Sequence, residues 1–505
     1  MIYFLAFRVR PYKGEFMIFQ NHSLRQTAQD ALLCSADGRA EEMGLLLPRL
    51  QAIANRIWNS PRYALCLLVA ATLLYIMGCA LEGCLIMALV VAFMLLFCAE
   101  LMAVLLPFLL FCLLTTDFYN DLGRLLVYWP VLAGAVAAFV IHLFLYRAPL
   151  RRGAFTAPLL AVSAATLLGG LGSITAADYF SPVSLYYTLG LGLGMLGVYT
   201  VVRAQLSRAR GYDVLQRFLN LLYYAGLFAG VAVFKVYIVN VRAFLQDFAV
   251  LYMSYRNFCT TILLMAMPAA CMPRADGRWR WGGLIFLYSA MIMSGSRSGL
   301  IFGTVELAAC LGWLYHKAEP ELKPNLYRLG QLAAVPVVLF VYYMVQVLFS
   351  SRVAQELHGA FIPVNDSRFT FFMQGLRDFA SNPLFGIGLG NLSNEHIFIG
   401  VHGSIVWYHN MVAQILGSMG LVGVAAYGWH YLIRLKILLT RRSAQLPLAA
   451  LSCAGMVLMS MTNPGEFCPL PNELLMVALF AVLETLPRRE RPLGSLRRRK
   501  RGKVH

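Results

Sequence analysis

Three stretches of the chain hold side chains that could do chemistry together: SGSRSGL (Ser294–Leu300), NDSRF (Asn365–Phe369) and WYHN (Trp407–Asn410). Arg297 and Arg368 each carry a planar guanidinium, whose fork of N–H donors matches a phosphate bidentately. His409 carries an imidazole, the side chain whose ordinary pKa best suits proton removal near pH 7. Arg368 falls at the start of an expected short helix, where unpaired backbone N–H groups add favourable partial charge for an anion. A helix N-terminus at His409, with arginines nearby, would disfavour the imidazolium and keep the ring able to accept a proton. Arg352 in SSRVAQ is a candidate of the Arg368 kind, and Asn410 is a supporting neighbour of the histidine. The plain structural readings stand beside these: an arginine at headgroup level, a histidine that only packs. The Ser and Gly flanks of Arg297 give it no apolar stem to lie along.

The segment NPLFGIGLGN (Asn382–Asn391) carries Gly386, Gly388 and Gly390 at alternate positions. A dinucleotide-binding loop would need G-x-G-x-x-G between a strand and a helix, with an acidic residue about 20 positions on. The spacing is G-x-G-x-G and the preceding segment reads as helix, so the glycines are expected to form a flexible turn that permits close backbone approach. No D-x-D occurs, and Glu356, Asp366, Asp378, Glu395 and Glu466 are singly spaced; His396, His402 and His409 share no short ligand spacing. No metal site and no cofactor are therefore expected, and a pair of arginines is an alternative means of holding a diphosphate. The eleven cysteines form no C-x-x-C pair and lie mostly in apolar segments, as small hydrophobes do.

These residues must be positioned by elements of a particular kind. The chain has 505 residues, 59% hydrophobic and 13% charged, with a mean hydropathy of +0.66. A soluble domain carries roughly twice that charge. Apolar runs able to span a bilayer recur from residue 63 to residue 487, which predicts an all-α, polytopic helical membrane protein with about 12–14 spans. The run 84–116 is split at Glu100. The net charge of +18 resides in short loops and in the tail 488–505, which has nine Lys or Arg against one Glu490. With the N-terminus inside, every cytoplasmic loop is basic, in line with the positive-inside rule. The expected organisation is a cytoplasmic extension over 1–62, a transmembrane region over 63–349, an extracytoplasmic loop over 350–408, C-terminal spans over 409–487 and a basic cytoplasmic tail. The setting is the cytoplasmic (inner) membrane.

The long loop is too rich in phenylalanine for disorder. Its run FTFFM (Phe369–Met373) suits either packing on the protein's own spans or a place at the membrane interface beside a lipid tail. Glu306, deep in a span, is expected either to pair with a polar neighbour or to shape a cavity below Arg297.

Taken in order, SRSGL at the head of a span, then R-x-x-x-x-x-x-G-L near NPLFGIGLGN, then HN-x-x-x-Q-x-L-G-x-x-G-L-x-G, the chain resembles the O-antigen ligase superfamily over about residues 290–430. That superfamily includes O-antigen and capsule polymerases and protein O-oligosaccharyltransferases. The resemblance implies a glycosyltransferase that moves or polymerises glycan units from an undecaprenyl diphosphate-linked donor to a glycan, lipid or protein acceptor, without metal or nucleotide. It implies that Arg297 and Arg368 hold the diphosphate and that His409 is the catalytic histidine, acting in one inverting displacement. Ser418 departs from the pattern, since many relatives carry an acidic residue after the glycine. Two other classes fit the hydropathy: a glycolipid flippase, though no internal repeat is visible, and a rod-shape-type cell-wall polymerase, which would depend on an acidic loop residue such as Asp366.

Overall fold

The computed structural model describes residues 57–58, 60–98, 102–146, 152–173, 182–206, 213–247, 251, 255–273, 280–318, scattered positions from 320 to 338, 367–389 and 407–488. Arg352 and Gly390 lie outside the described residues, as do Asp366, most of the N-terminal extension and the tail beyond residue 488.

Every named element among the described residues is helical. In chain order they are α1 (Pro61–Ile76), α2 (Ala80–Phe97), α3 (Met102–Leu114), a 3₁₀ segment (Thr115–Tyr128), α4 (Trp129–Leu145), α5 (Thr156–Leu168), α6 (Pro182–Leu189) and α7 (Met195–Leu206). There follow α8 (Val214–Val239), α9 (Val241–Asp247), α10 (Arg256–Ala270), α11 (Trp281–Met293), α12 (Arg297–Lys317), α13 (Ser367–Ser381), α14 (Met411–Thr440), α15 (Leu446–Ser460) and α16 (Leu470–Thr485). Among the described residues, six helices are long and apolar enough to cross a membrane, and shorter apolar helices accompany them. The polytopic helical class expected from the sequence is observed.

Local chemistry sets the ends of these helices. Ser60, Asp213, Ser296 and Asn410 each accept a hydrogen bond from a first-turn backbone N–H, giving partners to donors that a helix start leaves unpaired. The apolar run 84–116 divides into α2 and α3, as its charge at residue 100 suggests. At the centre, α8 packs on α10, whose residues from Phe258 to Ala270 are all buried. Close approach there requires small residues: a Cβ on Gly226 of α8 would lie 2.2 Å from the Ala266 Cβ of α10. The periphery is apolar and exposed, as at Val136, Phe144 and Leu432, which is the surface a bilayer contacts.

The first of the C-terminal spans expected over 409–487 has a feature the sequence does not announce: α14 is broken at Gly420, where φ is 59° and ψ is −151°. Residues 20 positions apart on a straight helix lie about 30 Å from each other. Here the Tyr431 hydroxyl is 3.9 Å from the Met411 Sδ. The limb before Gly420 therefore folds back along the limb after it, and the apolar crossing proper begins beyond the break.

The segment 383–388 fills that break. Leu421 N and Val422 N donate to Pro383 O (2.9 Å) and Leu384 O (3.2 Å), while Ile387 N and Gly388 N donate to Gly417 O (2.8 Å) and Ser418 O (3.0 Å). On its other side Gly170 N, at the end of α5, donates to Phe385 O at 3.0 Å. The backbone groups freed by the interrupted helix thus find partners without water, as the interior of a membrane protein demands. Gly420 has no room for a side chain, since a Cβ would meet Pro383 O at 2.5 Å in a left-handed conformation. Gly420→Ala is expected to destabilise the protein by about 1–3 kcal/mol from strain alone, with a further loss from the clash. Thermal unfolding in detergent would measure it, and an unchanged midpoint would show that the break needs no glycine.

Candidate functional site

The three stretches singled out in the sequence meet at the starts of three helices. Ser296 caps α12 and leaves Arg297 as its first helical residue, exposed, with Ser298 buried behind it. Arg368 is the second residue of α13, and its Nη1 donates to the Ser298 Oγ at 3.1 Å. Asn410 caps α14 by accepting from Val412 N (2.9 Å) and Ala413 N (3.1 Å), which places His409 at the mouth of that helix. The charge of Arg368 reaches the His409 ring. Helix starts carry partial positive charge, so this convergence favours an anion.

His409 is held in an unusual pose. Its φ is +52°, making it the one non-glycine residue with positive φ among those described. Its ring stacks on Phe371 of α13, with centroids 5.4 Å apart and planes inclined by 26°. Its Nδ1 is buried and has no hydrogen-bond partner among the described residues. Burial, and secondarily the Arg368 charge, push the imidazole pKa down from 6.5 to about 4. The ring is therefore neutral at physiological pH. The sequence anticipates that outcome through arginines and a helix start; the larger cause is burial, which sequence does not reveal.

A second set of contacts aligns α13 with the His409 turn. The Tyr408 hydroxyl donates to Asp378 Oδ2 at 2.5 Å, and Gln374 Nε2 donates to Asp378 Oδ1 at 2.8 Å. Tyr408 N donates to Gln414 Oε1 at 3.0 Å, and Gln414 Nε2 donates to Ser418 Oγ at 2.9 Å. Ser418, the position where an acidic residue is common in the resembling family, is thus buried and spent on Gln414. Trp407 packs edge-on against Tyr187 of α6 at 4.9 Å. Ser298, Phe371, Asp378 and Gln414 were not singled out for these roles by sequence. Their types are ordinary, and only the fold brings them together.

The supporting candidates divide. Asn410 is a helix cap that also donates from Nδ2 to Met461 O at 2.9 Å. Gly386 and Gly388 do adopt left-handed backbones, at φ 64° and 99°. What Gly386 approaches is the protein's own backbone: a Cβ there would meet Gly417 O and Ser418 C at 2.5 Å. Glu306 lies nine residues into α12, about 13 Å along the axis from Arg297. It is buried beside Gly455 of α15, and neither carboxylate oxygen has a hydrogen-bond partner among the described residues, so of the two alternatives for it a polar pairing is not seen there.

The depressed histidine pKa has a definite sign. Because the folded ring protonates near 4 and the unfolded one near 6.5, the unfolded chain binds its proton first on acidification. Stability tied to the neutral ring is complete above about 6.5 and is lost as pH falls towards about 4. Acylation of His409 by diethyl pyrocarbonate, read by mass spectrometry as pH is lowered, should show a midpoint near 4. Arg368→Ala should raise that midpoint only part of the way, since burial is the larger cause. A wild-type midpoint at 6.5 would show that the ring is not shielded.

Comparison with known proteins bears on the same stretch. Residues 282–428 match the Wzy_C family model, described as O-antigen ligase. No curated protein matches the chain. The match begins on α11, takes in Arg297, Arg368 and His409, and ends just past the break in α14. Residues 282–428 of this integral membrane protein are therefore similar to the O-antigen ligase family, in line with the superfamily that the sequence resembles.

Proposed function

We propose that the protein transfers or polymerises glycan units carried on undecaprenyl diphosphate, on the outer face of the cytoplasmic membrane, where segment 350–408 is placed by the distribution of basic residues. The observation that supports this most directly is the position of Arg368. It bonds to Ser298, the residue after Arg297, and projects its charge onto His409, which supports reading Arg297, Arg368 and His409 as parts of one site.

The reaction follows from what these groups can do. The donor's diphosphate sits at the starts of α12 and α13, with Arg297 and Arg368 opposing its charge. As the bond between the anomeric carbon and the diphosphate oxygen lengthens, negative charge grows on that oxygen, and prepositioned guanidinium groups stabilise it most in the transition state. An acceptor hydroxyl attacks the anomeric carbon from the opposite face, inverting it, and His409 takes the hydroxyl proton. The new glycosidic bond forms as the diphosphate leaves, so the acceptor proton ends on the imidazole and the electron pair on the departing phosphate. The prenyl tail stays among apolar helix faces throughout.

Purified protein given a lipid-linked repeat unit tests this reading. A ladder of chain lengths means polymerisation, and one transfer to a separate acceptor means ligation. His409→Ala is expected to lower turnover by about 10²–10⁴-fold, the usual worth of a general base. Arg368→Lys and Arg297→Lys should impair turnover as well, because an ammonium lacks the bidentate fork. Movement of the lipid across a bilayer without any transfer would instead favour a transporter. Loss of activity in Asp366→Ala alongside retention in His409→Ala would favour a polymerase with an acidic catalytic residue.

A further inference from the structure

A buried charge cluster lies beyond the segment that matches the ligase family. Arg434 of α14 donates from Nη2 to the Glu473 carboxylate of α16, at 3.1 and 3.4 Å, and pairs through Nη1 with Glu466. Its Nε donates to His430 Nε2 at 3.3 Å. Arg434, Glu466 and Glu473 are 3%, 2% and 4% exposed. Ionised groups buried in a membrane protein are costly to desolvate, and their retention calls for a role.

The cluster's outward connections indicate that role. Glu466 belongs to the short segment 461–469 between α15 and α16. That segment is pinned by Glu466 N donating to Ser460 Oγ at 2.9 Å and by Asn472 Nδ2 donating to Gly465 O at 2.7 Å. The Tyr431 hydroxyl donates to Glu466 Oε2 at 3.0 Å, and that hydroxyl oxygen lies 3.9 Å from Met411 Sδ. Asn410 donates to Met461 O, where the segment begins. Both residues that follow His409 therefore rest on what the cluster organises: Met411 on Tyr431, and Asn410 on the 461–469 segment.

His409 needs such support. A non-glycine residue at φ +52° persists only where its surroundings fix it. Tyr408, on its N-terminal side, is fixed by Asp378 and Gln414. We infer that the Arg434–Glu466–Glu473 cluster, acting through Tyr431 and the 461–469 segment, is the matching clamp on the C-terminal side, and that Glu466 and Tyr431 are positioning residues for His409. The inference rests on the reading of His409 as the base.

Two substitutions separate the clamp from general stability. Tyr431→Phe removes the tie between Glu466 and the Met411 side while leaving the ion pairs intact. Glu466→Gln keeps the size of the side chain and removes its charge. Each variant is expected to lower kcat by tenfold or more, with the KM for the lipid-linked donor within twofold of wild type. Each should also speed acylation of His409 by diethyl pyrocarbonate severalfold, since the ring is no longer held. Glu466→Asp should restore part of both properties. An unchanged His409 acylation rate in both variants, or a loss confined to KM, overturns the inference. The acylation arm needs no turnover, so it decides the positioning role even if the wild-type protein transfers no glycan; should Glu466→Gln fail to insert, Tyr431→Phe decides alone.

Discussion

The geometry of this molecule depends on one backbone event, the interruption of α14 at Gly420 and its repair by residues 383–388. An apolar helix broken within a membrane protein leaves carbonyl and amide groups that cannot turn to water. Here they are taken up by a second stretch of backbone, which must come close enough to hydrogen-bond and so must lack side chains at Gly386 and Gly420. The repair has a large lever effect. It folds the limb Met411–Met419 back along the limb that follows, and it draws in α13, whose last residues lead into the repairing segment. The starts of α13 and α14 are thereby brought to the capped start of α12. Without the break, His409 would stand at the far tip of a straight helix.

Once those helix starts are together, the local electrostatics follow. Backbone donors of the first turns, the Arg297 and Arg368 side chains and the low dielectric of the protein interior all favour an anion and disfavour a further cation. The ring of His409 loses proton affinity chiefly through burial and secondarily through the Arg368 charge, while it stacks on Phe371. The same environment that would welcome a diphosphate thus keeps its neighbouring base unprotonated. Capping by Asn410 and Ser296 serves both helix stability and this field, since each cap fixes where the first turn points.

Much of this was legible in the sequence, and the reason is physical. Hydropathy reports burial in lipid directly, so the polytopic helical class emerged from apolar run lengths. Arg297, Arg368 and His409 were visible because charged or titratable residues are rare in such a chain and so stand out against it. The break in α14 was not legible, because LGSMGLVG is as apolar as any span and a glycine inside a membrane helix is common. The glycines of 382–391 were read as a means of close approach, and Gly386 and Gly388 come against the backbone at Gly417 and Ser418. Ser298, Asp378 and Gln414 were given no positioning role, since a serine or a glutamine gains meaning only from what lies opposite it. Glu306 stood out as an intramembrane acid, yet its surroundings offer it no polar partner among the described residues.

The orientation of His409 raises a final point about the proposed chemistry. A histidine acting as a base commonly has its second ring nitrogen bonded to a carboxylate, which orients the ring and stabilises the imidazolium. His409 has no such partner for Nδ1 among the described residues; a stack, a strained φ and flanking hydrogen bonds orient it instead. A ring with a pKa near 4 is too weak a base to strip a sugar hydroxyl outright. In the proposed reaction it would become competent in two circumstances that a diphosphate donor would supply. A diphosphate bound there would set negative charge beside the ring and oppose the influence of Arg368, raising its proton affinity. The acceptor oxygen also becomes far more acidic as its bond to the anomeric carbon forms, so the proton need move only late in the displacement. On this view the arginines serve the base indirectly: they promote departure of the leaving group, and that departure generates the acidity that a weak, uncharged imidazole can accept.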